Sequence, residues 1–139
     1  PQKFLWLAEA LIKQGVKVSF CMHESERLYW EDKLPKGALL PTLPSLTDTA
    51  KLISSGALLI GNDSGIAHLA SNLGLKTLIF SKSKRHIRRW RPDFVPSLAL
   101  TPPAWLPNFK PYRLRHTYWH HFIPCTLVLK TALKLLRCP

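Results

Sequence analysis

Two short apolar runs, Ala57–Ile60 and Thr77–Phe80, flank an amphipathic stretch at residues 66–73, and this spacing constrains the fold more than any other feature of the chain. Each run is short, bounded by glycine and polar residues, and suited to a buried strand. Between them, Ile66, Leu69, Ala70 and Leu73 fall on one face of a helix that Gly74 stops. Upstream, Phe4, Leu7, Ala8 and Leu11 mark a helix over 3–14 that ends at Gly15. Val16, Val18 and Phe20 then suggest a short strand, and Glu24 to Lys33 a polar helix. Pro35, Gly37, Pro41 and Pro44 make a loop, and Gly61 to Gly65 a turn. Ser45 with Asp48 resembles a capping box with Asp in place of Glu, opening a helix through Leu46, Ala50 and Ile53 that ends near Gly56. Strands alternating with amphipathic helices predict an α/β fold: a Rossmann-like parallel sheet with helices on both faces.

Charge divides the chain. Residues 1–75 hold seven Lys/Arg and seven Asp/Glu, whereas residues 76–139 hold thirteen Lys/Arg against Asp93 alone. The whole net charge of +12 therefore belongs to the second part, which would suit nucleic acid, an anionic membrane surface or an anionic ligand. A hydrophobic fraction of 46% excludes a disordered basic tail. No apolar run reaches the length of a membrane span, and no signal-peptide pattern opens the chain. Cys21, Cys125 and Cys138 are far apart without a C-x-x-C, which suggests neither a disulfide framework nor a zinc knuckle and fits a reducing cytoplasm. The start at Pro1, in the lead-in to a helix, reads as a fragment of a longer parent.

The segment that carries chemistry runs from Leu58 to Ala70. A buried strand ends, the turn Gly61-Asn62-Asp63-Ser64-Gly65 follows, and a helix starts. In a parallel sheet this is the C-terminal edge, where ligands bind. The helix start offers free N–H groups and partial positive charge to an anion. Gly65 lets the backbone approach a phosphate, Ser64 can donate its hydroxyl, and His68 can lean back toward the same anion. Asp63 would be repelled by a phosphate and is expected to cap the helix or to hold Ser64 and nearby N–H groups. The plain alternative is a capped strand-to-helix turn with a surface histidine. The spacing fits neither the nucleophile elbow, nor G-x-G-x-x-G, nor the P-loop.

The residues Ser45-Leu46-Thr47, Ala50 and Ile53, then Ile60-Gly61-Asn62-Asp63-Ser64-Gly65, His68-Leu69-Ala70, Leu73-Gly74, Lys76-Thr77 and Phe80 resemble the C-terminal domain of glycosyltransferase family 9, the ADP-heptose:lipopolysaccharide heptosyltransferases. Leu7 to Leu11 and Gly15 extend the likeness weakly toward the start. The resemblance implies the C-terminal half of a GT-B glycosyltransferase whose C-terminal domain holds an ADP-sugar donor. It implies that Asp63, Ser64, Gly65 and His68 meet the donor diphosphate, that Asn62 belongs to the same substrate-binding site, and that Glu24 or Glu26 holds the ribose. It implies inverting transfer of heptose to the lipopolysaccharide inner core, at the cytoplasmic side and in contact with the inner membrane, with no cofactor and no metal. The acceptor domain, with its general-base aspartate, would lie upstream of Pro1, so no catalytic residue is expected in this chain and the fragment alone should not catalyse. Where the family shows a Gly-Pro turn after the second strand, this chain has Ser81-Lys82-Ser83-Lys84.

These readings organise the chain as a Rossmann-like core over 1–80, incomplete at its N-terminus, a basic and Pro-rich wrapping segment over 81–121, and an amphipathic helix over 122–139. The basic run 82–91 reads as a solvated loop with helper contacts to phosphate; nucleic acid, with Trp90 stacking on bases, is the disfavoured partner. Taken as a whole, the alternative function is a basic, non-catalytic module for nucleic acid or anionic membrane. Val128, Leu129, Ala132, Leu133, Leu135 and Leu136 form a broad apolar arc opposite a stripe of Lys130, Lys134 and Arg137. That helix is expected to pack, with an interfacial helix on anionic lipid as the alternative. His116, His120 and Cys125 hint at a metal but lack a fourth ligand, and Trp105, Tyr112, Tyr118 and Trp119 read as packing residues.

Overall fold

Thr77–Phe80 forms a central strand, β2, whose four residues are all buried. In the computed structural model, which describes residues 2–82, 85, 87, 95, 97–106 and 118–137, β2 pairs in parallel with β1 (Leu59–Asn62) on one side and β3 (Ser97–Leu100) on the other. Side chains alternate across a strand, so a strand buried at every position is covered on both faces. Rows across the sheet follow the register: Leu59, Thr77 and Ser97, then Ile60, Leu78 and Leu98, then Gly61, Ile79 and Ala99, then Asn62, Phe80 and Leu100. Thr77, fully buried, donates its hydroxyl to Ser97 Oγ (2.8 Å), and Ser97 donates onward to the Val95 carbonyl (3.0 Å). The buried polar pair is thus satisfied rather than stranded.

The chain divides into two compact units, Pro1–Leu52 and Ile53–Pro139, and the sheet belongs to the second. There α4 (Gly65–Asn72) makes the crossover between β1 and β2. Ala67 and Ala70 have no exposed surface, and Ala70 packs with Ile53, Leu75, Leu59, Ile66 and Leu69. The helix stops in a Schellman motif. Gly74 takes φ +82°, its N–H reaches the Ser71 carbonyl (3.1 Å), and Leu75 N–H reaches that of Ala70 (2.9 Å). Later in this unit, α5 (Cys125–Arg137) buries Val128, Ala132 and Leu135, and Lys76 Nζ donates to the Leu135 carbonyl (3.5 Å).

In the first unit, α1 (Gln2–Lys13) buries Leu7, Ala8 and Leu11 and stops at Gly15 by the same motif, with φ +77°. α2 (Glu24–Glu31) starts at His23, whose Nδ1 accepts the Ser25 N–H (3.2 Å), and stops two residues short of Lys33. α3 (Leu46–Ser54), whose last two residues belong to the second unit, opens at the expected box: Ser45 Oγ accepts the Asp48 N–H (3.1 Å) and donates to Asp48 Oδ2 (2.5 Å). A Glu at that position would reach back to the backbone; the shorter Asp closes on the hydroxyl instead.

Three strands differ from the sequence reading. The strand expected at Ala57–Ile60 starts at Leu59 and continues through Gly61 and Asn62, because those residues pair with Ile79 and Phe80. The strand expected over 16–20 is a single parallel bridge, Ser19 to Leu39, flanked by Phe20 N–H to Leu39 O (2.8 Å) and Leu39 N–H to Val18 O (2.9 Å). The irregular stretch of 92–111 contains β3; its prolines bound the strand, at Pro96 and Pro102, rather than interrupt it. Residues 83, 84, 86, 88–94, 96 and 107–117 lie outside the described residues, and with them most of the basic run, Tyr112 and His116.

Ser45→Ala should cost about 1 kcal/mol in urea denaturation, the usual size of a lost N-cap. Burial pushes the half-buried Cys21 thiol up from its ordinary 9.0, because its thiolate is poorly solvated. The stability this confers is complete below that value and is lost as the pH climbs through the raised one. Cys21 should therefore alkylate more slowly near pH 8 in the folded chain than in urea, read by peptide mass mapping.

Candidate functional site: a helix N-terminus at the sheet edge

The site is built where β1 ends. Asp63 N–H donates to the Phe80 carbonyl (3.3 Å), so the parallel ladder holds the chain one residue past the strand. Ser64 follows in extended conformation (φ −151°, ψ 166°) as the N-cap of α4. Its carbonyl accepts the N–H groups of Ala67 (3.0 Å) and His68 (3.3 Å). Its hydroxyl makes no capping bond. Among the described residues, the Gly65 and Ile66 N–H groups have no hydrogen-bond acceptor. Two donors at the positive end of the helix dipole and a hydroxyl beside them are therefore unspent, which is the arrangement an anion completes.

The expected cap at Asp63 is corrected. The N-cap is Ser64, and Asp63 Oδ1 lies 3.7 Å from His68 Nε2 across the first turn. The Asp63 side chain is 17% exposed and that of His68 41%. The carboxylate thus faces an imidazole instead of the helix N–H groups, which leaves those groups open. This pairing across five residues was not foreseen; a carboxylate just before a helix, with a histidine one turn in, is the signal that could have found it.

Gly65 has no structural need to be glycine. Its φ is not in the left-handed region, and among the described residues a Cβ built on it meets nothing within 4 Å. The same holds for Gly61. Open space before Gly65 is what a group docking on the helix N-terminus requires. His68 lies half-exposed, away from the Ile66, Leu69 and Ala70 face that packs inward, as the periodicity predicted. Asn62, expected in a turn, ends β1 with its side chain exposed.

The structure brings Asn62, Asp63, Ser64, Gly65 and His68 together on one strand-to-helix junction. Glu24 and Glu26 belong to the other unit, both exposed in the first turn of α2. Two residues apart on a helix, they point to opposite sides, so at most one can face a given ligand. Among the described residues, no group of three His, Cys, Asp or Glu side chains could hold a metal ion. The His120 ring lies beside that of His121, centroids 4.2 Å apart and planes tilted by 41°.

Fold and junction together define a class: an α/β domain with a helix N-terminus at the C-terminal edge of a parallel sheet. The family model for glycosyltransferase family 9 (heptosyltransferase) matches residues 1–92, and the chain belongs to that family. It is also similar to the crystal structure of the glycosyl transferase family 9 from Veillonella parvula DSM 2008, with a TM-score of 0.78 at 20% identity, covering 97% of this chain and 40% of that one. That likeness shows the fold, and it extends over nearly the whole chain, beyond residue 92. The chain spans 40% of the length of that structure. No curated protein matches the sequence.

Gly65→Ala should leave thermal stability unchanged or raise it by up to about 1 kcal/mol, since the new methyl meets nothing and the unfolded chain loses freedom. A clear loss of melting temperature would mean that this glycine serves the fold.

Proposed function

We propose that this chain is the ADP-sugar-binding part of a heptosyltransferase that transfers a heptose to the lipopolysaccharide inner core. The observation that carries the reading is the uncapped start of α4, where Gly65 N–H, Ile66 N–H and the Ser64 hydroxyl stand in succession without a protein acceptor among the described residues. A diphosphate supplies the missing acceptors. Membership of family 9 supports a nucleotide-sugar donor and a transfer reaction.

In this reading the chemistry is leaving-group stabilisation. As the glycosidic bond breaks, negative charge grows on the departing ADP. Fixed N–H donors, a hydroxyl and a helix dipole gain strength as that charge develops, so they favour the transition state over the ground state. His68 would add a further donor, with the Asp63 carboxylate 3.7 Å from its Nε2. Either Glu24 or Glu26 would receive the ribose hydroxyls. No metal and no cofactor enters the scheme. The general base and the acceptor site belong to a partner domain outside residues 1–139, so this chain alone binds donor and does not turn it over. The work would take place at the cytoplasmic face of the inner membrane, where such an acceptor is assembled.

Calorimetric titration of the full chain with ADP tests the reading. Millimolar or tighter binding is expected. Ser64→Ala and His68→Ala should each weaken it about tenfold, the size of a charge-assisted hydrogen bond. Gly65→Ala should weaken it while leaving the fold intact. Absence of ADP binding, with salt-sensitive binding of DNA in its place, would overturn the reading.

A further inference from the structure

The donor site uses nothing of α5, yet α5 carries the second organised surface of the C-terminal unit. Its inward stripe is settled: Val128, Ala132 and Leu135 are buried. Away from it, Lys130, Lys134 and Arg137 recur at i, i+4 and i+7 and are all exposed. At about 100° per residue this puts three cations along the outward side of the helix. Leucines border them on both flanks. Leu129, Leu133 and Leu136 form a half-buried row on one side, and Leu127, 45% exposed, lies on the other. The helix contains no acidic residue, and residues 76–139 hold a single one, Asp93.

We propose that this face of α5 is a docking surface for an anionic lipid bilayer. Charge complementarity selects the partner's sign, because three aligned cations without a neighbouring carboxylate on the helix repel each other until an anionic surface neutralises them. The leucine borders select the kind of partner. A phosphate backbone gains nothing from flanking leucines, whereas at a bilayer the lysine and arginine heads sit among the lipid phosphates while leucines beside them enter the acyl boundary. The helix lies on such a surface: among the described residues, none of the helices is long and apolar enough to cross it. This inference does not depend on the donor-site reading.

Co-sedimentation of the full chain with vesicles tests it. One set contains one part phosphatidylglycerol to two of phosphatidylcholine, and the other phosphatidylcholine alone. At about 0.1 M salt the chain should pellet with the first set and stay in solution with the second. The variant Lys130→Glu/Lys134→Glu/Arg137→Glu should lose about a hundredfold in affinity, and the single changes Lys130→Glu and Lys134→Glu about fivefold or more each. A control with the same charge change on exposed lysines of the first unit, Lys13→Glu/Lys17→Glu/Lys36→Glu, should keep most of the binding, with circular dichroism showing all variants folded. The proposal is overturned by equal binding to both vesicle sets, by no binding to either, or by a triple variant that binds as the unaltered chain does. It is equally overturned if the α5 cations are instead needed for self-association or for binding DNA while vesicles are ignored.

Discussion

The hydrogen bond from Asp63 N–H to the Phe80 carbonyl is the contact on which the site depends. It carries the ladder between β1 and β2 one residue beyond the strand. That one residue fixes where the chain leaves the sheet and hence where α4 begins. Burial of β2 on both faces makes the anchor rigid, since neither Leu78 nor Ile79 can shift without opening the core. The geometry of the α4 start is thus a product of sheet register: a slip of one residue would turn every β1 side chain over and move the helix start away from the edge.

What the rigid junction leaves open is as informative as what it closes. The chain offers two good capping residues in succession, and neither caps. The Ser64 hydroxyl makes no capping bond, and the Asp63 carboxylate lies toward His68. A helix of eight residues gains little stability of its own, and leaving its start uncapped costs about 1 kcal/mol. Packing of Ala67 and Ala70 against the core is what offsets that cost. Two adjacent capping residues that leave the first turn without a side-chain cap break a local rule, as residues at functional sites commonly do.

Much of this was legible in the residues. Gly15 and Gly74 announced helix ends because only glycine takes the left-handed conformation without strain, and both do so. Thr77–Phe80 was legible because a strand covered on both faces needs an unbroken apolar run. The Asp-Ser-Gly-x-x-His run marked the strand-to-helix junction, and the structure has α4 starting there. Other features were not readable, for physical reasons. β3 has no period of its own and sits between prolines; its existence depends on β2, which is distant in sequence. Gly61 and Asn62 are poor strand formers, and tertiary pairing with Ile79 and Phe80 overrides that preference. The choice of Asp63 between helix N–H groups and an imidazole is a competition that spacing alone does not decide. Glu24 and Glu26 stay equivalent because both sit exposed on the same helical turn.

The central claim is that the start of α4 receives a diphosphate. Amide nitrogen–proton NMR of the labelled full chain, titrated with ADP, tests it residue by residue. The account predicts that the Gly65 and Ile66 amides move furthest and that Ser64 and His68 follow, while α5 stays still. ADP that binds without moving Gly65 and Ile66, or that moves a different helix start first, would contradict it.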